Sequence, residues 1–188
     1  MRCPCARQRQ ERDHPPYRVM ADFKPLPKLD RLKELFDYNP DTGLFTRTTA
    51  KGNGAKGKVA GCRTRRGYVK LCVDRTAHLA HRLAWLYVTG DDPTQWVIDH
   101  ANGDPFDNRF CNLRICTNSQ NNQNSIKQSN NSSGFKGVYL DTTRNQWRAT
   151  ITTKGVFKHL GRFKTAEEAF DAYCKAAAEL HGEFARCA

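Results

Sequence analysis

Apolar positions recur with different periods along the chain, and these periods predict its elements. Residues 29–36 and HLAHRLAWLYV (78–88) are apolar at helical spacing, so each is predicted to be a helix, the second ending at Gly90. NPDTG (39–43) is a turn signal, and GYVKLCVD (67–74) alternates between apolar and polar residues as a strand does. The positions that this strand is predicted to turn towards the core are Val69, Leu71 and Val73.

A polar stretch separates this region from a second pattern. Residues 118–133 are dominated by Asn, Gln and Ser; their first part is predicted to end a helix and QSNNSS to form a linker. Three strand-like runs follow, FKGVYL, QWRATIT and VFKHLGRF, and then a helix that begins at a capping box of Thr165 and Glu168 and ends at Gly182. This pattern predicts a three-stranded antiparallel sheet with one helix packed on it.

The middle strand of that sheet is predicted to have two different faces. Alternation directs Trp147, Ala149 and Ile151 towards the helix. The opposite face of such a sheet can enter a major groove of DNA. The residues predicted to lie on it are Arg148, Thr150 and Thr152.

The length of 188 residues allows one ordinary domain or two small ones, and a composition of 38% hydrophobic residues can bury a core. The changes in pattern predict four segments. These are a flexible basic N-terminal extension (1–28), a first folded domain (29–125), a polar linker (126–133) and a second folded domain (134–186).

Positive charge is concentrated in one part of the chain. The net charge is +12, and residues 44–89 hold ten Lys or Arg and one acid, which gives +9 of that total. Residues 90–133 hold five aspartates and three basic residues. The basic charge favours a polyanionic partner, and nucleic acid is the leading candidate. A basic segment next to an acidic one is typical of a phosphate-binding surface beside a metal site.

The eight cysteines do not have the spacing of a zinc site. No CxxC occurs, and Cys111 and Cys116 are too far apart for a zinc knuckle, so no zinc is expected and the thiols are predicted to be reduced. No run of 18 apolar residues occurs and the N-terminus lacks the apolar segment of a secretory signal. We therefore expect no membrane partner and a cytoplasmic, non-secreted protein.

The most informative segment is 98–124, IDHANGDPFDNRFCNLRICTNSQNNQN. Phosphodiester hydrolysis needs a divalent cation for the developing charge and a base that activates water. Asp99 and His100 are adjacent and can supply one of each. NGD is a tight turn, and the polar stretch after NLR can begin a helix that returns a second metal ligand to the site.

With these residues the chain resembles the HNH endonucleases of phages and introns, whose core is a β-hairpin and a helix around one metal ion. The resemblance is carried by DHANGDPFDNRFCNLR (99–114) with HRLAW ahead of it, and it spans about residues 29–125. It implies an α+β fold, with a ββα-metal nuclease core followed by the three-stranded antiparallel sheet packed on one helix.

The same resemblance implies the roles of single residues. His100 would be the general base, Asp99 a metal ligand and Asn112 the catalytic residue that holds the hairpin loop together. The second ligand would be Asn121, with Asn122 as the alternative because the run of asparagines leaves the register open. The cofactor would be Mg²⁺ or Mn²⁺, one per active site. The candidate phosphate contacts near this site are Arg82, Arg109 and Arg114.

Residues 134–186 resemble a second family, the plant APETALA-two/ethylene-response-factor (ERF) type of DNA-binding domain, which also occurs in phage nucleases. The resemblance is carried by FKGV, QWRATI, HLGRF and TAEEAFDAY. The plant domains contact DNA through arginines and a Trp where this chain has Tyr139, Asp141 and His159, so the fold carries over and the target sequence does not. The candidate DNA contacts of this domain are Lys136, Tyr139, Arg144, Arg148, Thr150, Thr152, Lys154, Lys158 and His159.

The sequence thus predicts a metal-dependent endonuclease of double-stranded DNA, of the phage or homing type, acting as a monomer without a small-molecule substrate. The alternative is a non-catalytic, sequence-specific DNA-binding regulator that keeps an HNH-shaped scaffold. The presence of Asp99, His100 and Asn121 together disfavours that alternative. An RNA-binding protein is disfavoured because no RNP-type aromatic motif occurs. One-strand and two-strand cleavage both stay open.

Overall fold

The computed structural model describes residues 24–50, 55–65, 67–125, 131–153 and 155–187. The predictions for most of the N-terminal extension, for residues 126–130 of the linker and for Lys154 lie outside the described residues. The mixed α and β class is confirmed. The chain divides into two compact units, Met1–Thr117 and Asn118–Ala188. Within the described ranges no helix is long and apolar enough to cross a membrane.

Among its described residues the first unit has two α-helices and eight short strands. The helices are α1 (Leu29–Leu35) and α2 (Ala80–Thr89). The strands are β1 (Phe36–Asn39), β2 (Leu44–Arg47), β3 (Val59–Ala60), β4 (Cys62–Arg63), β5 (Val69–Val73), β6 (Thr76–Leu79), β7 (Val97–His100) and β8 (Leu113–Cys116). They form antiparallel sheets in the orders β1-β2-β3, β4-β5-β6 and β7-β8.

One apolar core holds this unit together. The strand predicted over 67–74 is present, with Leu71 and Val73 buried, and α2 packs Leu83 into the same cluster as Leu32 of α1. α2 ends at Gly90, whose φ of 77° is the left-handed conformation that glycine adopts without steric cost. The predicted start of this helix differs by two residues, because residues 78–79 pair with β5 as part of β6.

The second unit contains α3 (Asn118–Asn124), the strands β9 (Val138–Asp141), β10 (Gln146–Thr153) and β11 (Val156–Phe163), and α4 (Ala166–His181). The strands form one antiparallel sheet with β10 in the centre. α4 packs Ala169 and Ala177 into the two apolar clusters of this unit, which include Ala149 and Ile151 of β10. The capping box at the start of α4 is present, with both reciprocal hydrogen bonds between Thr165 and Glu168.

The central strand β10 departs from the predicted alternation. Its register with β11 shifts between Ala149 and Thr150, and three consecutive residues, 149–151, are buried. Thr150 is therefore buried instead of lying on an open face, and its amide donates to the Gly137 carbonyl at 2.8 Å. An irregularity of this kind turns a side chain towards the other face of a sheet.

The helix α3 belongs to the second unit, although the sequence pattern placed it in the first domain. The Lys136 ammonium explains part of this assignment, because it donates to the carbonyls of Gln123 and Ser125 at 2.5 and 2.7 Å. These bonds connect the C-terminal end of α3 to the segment before β9. The boundary between the units thus lies at residues 117/118.

Candidate functional site

The hairpin of β7 and β8 positions the Asp-His pair. Antiparallel pairing sets Asp99 opposite Arg114 and His100 opposite Leu113, and residues 101–112 connect the two strands. Both side chains of the pair are buried, with 6% of Asp99 and 4% of His100 exposed. A carboxylate and an imidazole thus occupy consecutive buried positions at the end of a strand.

The imidazole of His100 is oriented by Asn108 of the hairpin loop. Its Nε2 lies 3.4 Å from the Oδ1 of Asn108, and the Nδ2 of Asn108 donates to the Phe106 carbonyl at 3.0 Å. Since that second bond directs the amide oxygen to the imidazole, Nε2 carries the hydrogen in this contact. In the tautomer that donates from Nε2 to this amide oxygen, the lone pair lies on Nδ1.

Two further rings enclose His100. The ring of His81 on α2 lies edge-on at 4.9 Å between centroids, and that of Tyr68 lies 6.2 Å away. Burial lowers the pKa of His100 below its ordinary value, while the Asn108 hydrogen bond and the carboxylates of the hairpin oppose this shift. Burial is the largest of these effects and favours the neutral imidazole.

Asn112 connects the two ends of the hairpin loop. Its Oδ1 accepts from the Asn102 amide at 2.9 Å, and its Nδ2 donates to the Asn102 Oδ1 and the Asp107 carbonyl at 2.9 and 2.8 Å. The backbone carbonyl of Asn112 also accepts from Ala101. All these bonds connect Asn112 to the loop that follows His100 and stabilise the conformation of that loop.

Two of the three arginines predicted to contact phosphate near this site pair with carboxylates. Arg114 lies against Asp99, with Nε and Nη2 at 3.0 and 2.9 Å from the same oxygen, Oδ2. Arg109 forms a two-point pair with Asp107, at 2.7 and 2.6 Å, and its side chain is about half exposed. The Asp107 carboxylate has a lowered pKa because of this guanidinium.

Arg82, the third of these arginines, is a buried residue of α2. It is 3% exposed and donates to the carbonyls of Trp96 and Pro93 at 3.1 and 2.6 Å. Burial lowers the pKa of Arg82 to about 10. Its guanidinium therefore connects α2 to the segment that leads into β7 and so supports the position of the Asp-His pair.

The metal ligands predicted from the sequence lie in different units. Asp99 is on β7 of the first unit, whereas Asn121 and Asn122 are on α3 of the second. Asn121 is half-buried and Asn122 is exposed. Among the described residues there is no group of three or more His, Cys, Asp or Glu side chains that could hold a metal ion.

The sheet of the second unit carries a charged cluster centred on Asp141. Arg148 and the cross-strand neighbour Arg162 each lie 3.9 Å from its Oδ2, and the Arg148 guanidinium stands over the Tyr139 ring at 5.3 Å. The four remaining described candidates on these strands and turns are exposed. They are Arg144, Thr152, Lys158 and His159.

Sequence reasoning did not select four residues that the structure adds to these sites. Tyr68, His81 and Asn108 contact His100 from separate segments. Arg162 joins the Asp141 cluster from β11. Tyr68 carried no distinguishing signal, because its neighbours in sequence form an ordinary strand. Arg162 could have been found by pairing β10 with β11, which places it opposite Arg148.

Comparison with known proteins matches part of this chain to HNH endonucleases. Residues 78–123 match a family model described as HNH endonuclease. The chain is 33% identical over 106 residues to protein 3.8 of Escherichia phage T7, which covers 56% of this chain and 87% of that protein. It is 32% identical over 106 residues to an uncharacterized HNH endonuclease of Acanthamoeba polyphaga mimivirus, covering 56% of this chain and 54% of that protein. A structure titled "DNA binding and cleavage by the HNH homing endonuclease I-HmuI" aligns with a TM-score of 0.39 and 17% identity, over 78% of this chain and 84% of that one; a likeness of this size supports no inference.

Proposed function

We propose that this chain, which belongs to the HNH endonuclease family, is a metal-dependent endonuclease that hydrolyses phosphodiester bonds of double-stranded DNA. The observation that carries the proposal is the position of His100, buried beside Asp99 on β7 and oriented by Asn108. A carboxylate and an imidazole with a fixed proton are the two groups that metal-assisted hydrolysis requires.

In the proposed reaction His100 is the general base. Its Nδ1 takes the proton of a water molecule that attacks the phosphorus, while Nε2 stays bonded to Asn108. The bond between phosphorus and the 3′ oxygen breaks, so the products are a 5′-phosphate and a 3′-hydroxyl that takes its proton from solvent. Asn112 keeps the hairpin loop in place, so that this imidazole does not rotate away from the water. The rings of His81 and Tyr68 exclude bulk water from one side of the base.

What supports a hard divalent cation at this position is the carboxylate of Asp99, whose Oδ2 pairs with Arg114 in this structure. Asp99 supplies a carboxylate oxygen, and a cation such as Mg²⁺ is commonly held by one or two carboxylates together with water and substrate phosphate. We propose Asp99 as a ligand and keep Asn121 as the second ligand implied by the family resemblance. When bound, the cation would stabilise the charge that develops on the phosphate oxygens.

We further propose that the second unit positions the enzyme on DNA, as the resemblance to the APETALA-two/ERF type suggests. What supports this is the sheet face that bears Arg148 and Arg162, opposite the face on which α4 packs. Guanidinium groups on a sheet can contact phosphates or guanine edges in a major groove. Lys136 is less suited to this role because its ammonium is bonded to α3.

The test is cleavage of supercoiled plasmid by the purified chain in Mg²⁺, in Mn²⁺ and in EDTA, beside the His100→Ala variant. We expect relaxed or linear plasmid only with metal, and none with the variant, which should still bind DNA. Equal cleavage by wild type and variant would remove His100 from the mechanism. Binding without cleavage of DNA from several sources would favour the non-catalytic regulator.

A further inference from the structure

A basic cleft in the first unit adjoins the site described above, and most of the residues that line it have no role in that site. It encloses about 570 Å³ and is lined by cationic side chains from Lys24, Arg65 and Lys70, with Arg82 and His78 in its buried part. None of the described residues that line it is acidic. A volume of this size is typical of ligand sites in proteins.

The cleft is separated from the candidate site by a single ring. Tyr68 lines the cleft, and the same ring lies 5.5 Å from that of His81 and 6.2 Å from that of His100. Strand β4 also contacts the hairpin loop, since the guanidinium of Arg63 lies 4.2 Å from the centre of the Phe106 ring. A polymer bound in the cleft would therefore extend directly towards His100.

The cations of the cleft differ from other arginines of this unit in what surrounds them. Arg31, Arg109 and Arg114 each pair with a carboxylate. In the ranges that the structure describes, no carboxylate pairs with Lys24, Arg65 or Lys70, and these three residues are exposed. Three exposed cations around one concave surface attract an anion strongly, because their fields add.

We propose that this cleft binds the phosphodiester backbone of the DNA strand next to the bond that is hydrolysed at His100. This inference rests on the proposed function and adds the position of the substrate strand. Arg65 and Lys70 contact phosphates, and the buried guanidinium of Arg82 shapes the floor of the cleft. Contacts of this kind are independent of base sequence, so the cleft sets the position of the strand and leaves sequence reading to other parts of the chain.

The experiment measures binding of the full chain to a mixed-sequence DNA duplex in EDTA, at salt concentrations from about 50 to about 200 mM. Each phosphate contact contributes about 0.9 to the slope of log affinity against log salt. The Arg65→Gln and Lys70→Gln double variant should therefore show a slope smaller by about two, and binding weaker by about tenfold at the lower salt concentration. Each single variant should show about half of that decrease in slope.

Lys56→Gln is the matched control, because Lys56 is an exposed residue of the same basic segment and does not line the cleft. It should keep the wild-type slope, and all variants should keep the wild-type thermal unfolding midpoint. A wild-type slope in the double variant, or an equal decrease in the control, would overturn the proposal.

Cleavage of plasmid by the same preparations separates this proposal from the proposed function. If wild type fails to cleave but shows a slope that depends on Arg65 and Lys70, the nuclease proposal fails and the cleft still binds DNA. If wild type cleaves and the slope does not depend on these residues, the cleft proposal alone fails. If wild type does not bind the duplex at all, both are overturned.

Discussion

The carboxylate of Asp99 and the guanidinium of Arg114 face each other across the β7-β8 hairpin, with two guanidinium nitrogens within 3.0 Å of one carboxylate oxygen. Both side chains are largely buried, at 7% and 14% exposed. A buried carboxylate needs a positive partner, and Arg114 supplies one. The pair therefore stabilises the end of the strand that carries His100.

Replacing Arg114 by Gln should lower the free energy of unfolding by about 3 kcal/mol, because it removes the cation from a buried carboxylate. Urea unfolding of wild type, Arg114→Gln, Asp99→Asn and the double variant measures this. The double variant should lose less stability than the two single variants added together. Strictly additive losses would mean that the two side chains do not stabilise each other.

Stability should fall in mild acid because of His81. Burial, followed by the charges of His100 and Arg82, lowers the pKa of His81 well below 6.5, so the unfolded chain takes up the proton first. The contribution of this residue is complete above about pH 6.5 and is lost as the pH falls below that value. The ring of Tyr68 also packs against the imidazole of His81.

The measurement is the thermal unfolding midpoint from pH 8 down to pH 5 for wild type and His81→Phe. The variant keeps a ring of similar size and should lose part of the acid dependence. His159→Gln changes an exposed histidine of β11 and should follow the wild-type curve. An unchanged pH dependence in His81→Phe would contradict the prediction.

Asn112 should matter through its amide hydrogens as well as its oxygen. Asn112→Asp keeps the acceptor oxygen but loses the two hydrogen bonds donated to Asn102 and Asp107. At about 1 kcal/mol for each bond, the free energy of unfolding should fall by roughly 2 kcal/mol. Plasmid cleavage should decrease at least about tenfold, because loop displacement of this kind misplaces the base. Full cleavage activity in Asn112→Asp would contradict the role given to its amide hydrogens.

The two adjacent asparagines of α3 provide a test of the metal ligand. Asn121→Ala should raise the Mg²⁺ concentration for half-maximal cleavage by about tenfold or more, since even residues that support a ligand have effects of that size. Asn122→Ala, one position further on the same helix, should leave it close to wild type. The reverse result would assign the ligand to Asn122.

Two glycines of the second unit should respond differently to the same substitution. Gly137 has a φ of 73°, and a Cβ there would lie 2.3 Å from the Tyr173 ring and 2.7 Å from the Thr150 carbonyl oxygen. Gly155 has a similar φ of 77° and nothing within 4 Å. Gly155→Ala should cost about 1 kcal/mol of backbone strain and Gly137→Ala clearly more, as measured by urea unfolding. Equal losses would mean that the space beside Gly137 adapts at no cost.

Local patterns in the sequence determined most of the elements. The helical spacing of residues 29–36, the alternation around Leu71 and the capping box at Thr165 each depend on residues within a few positions of one another, and all three are present in the structure. The motif of Asp99 and His100 is equally local. The short strands β1 to β4 were not predicted, because two to four residues carry too little periodic pattern.

Tertiary structure decided the features that depend on distant residues. The pairing of Asp99 with Arg114 follows from strand register, the burial of Thr150 from an irregularity against β11, and the rings around His100 from separate segments of the chain. The basic composition of residues 44–89 was visible in the sequence, whereas the cleft that collects Arg65 and Lys70 was not. A sequence pattern reflects interactions between residues that are close together in the chain. Contacts between residues that are distant in the chain are determined only by the folded structure.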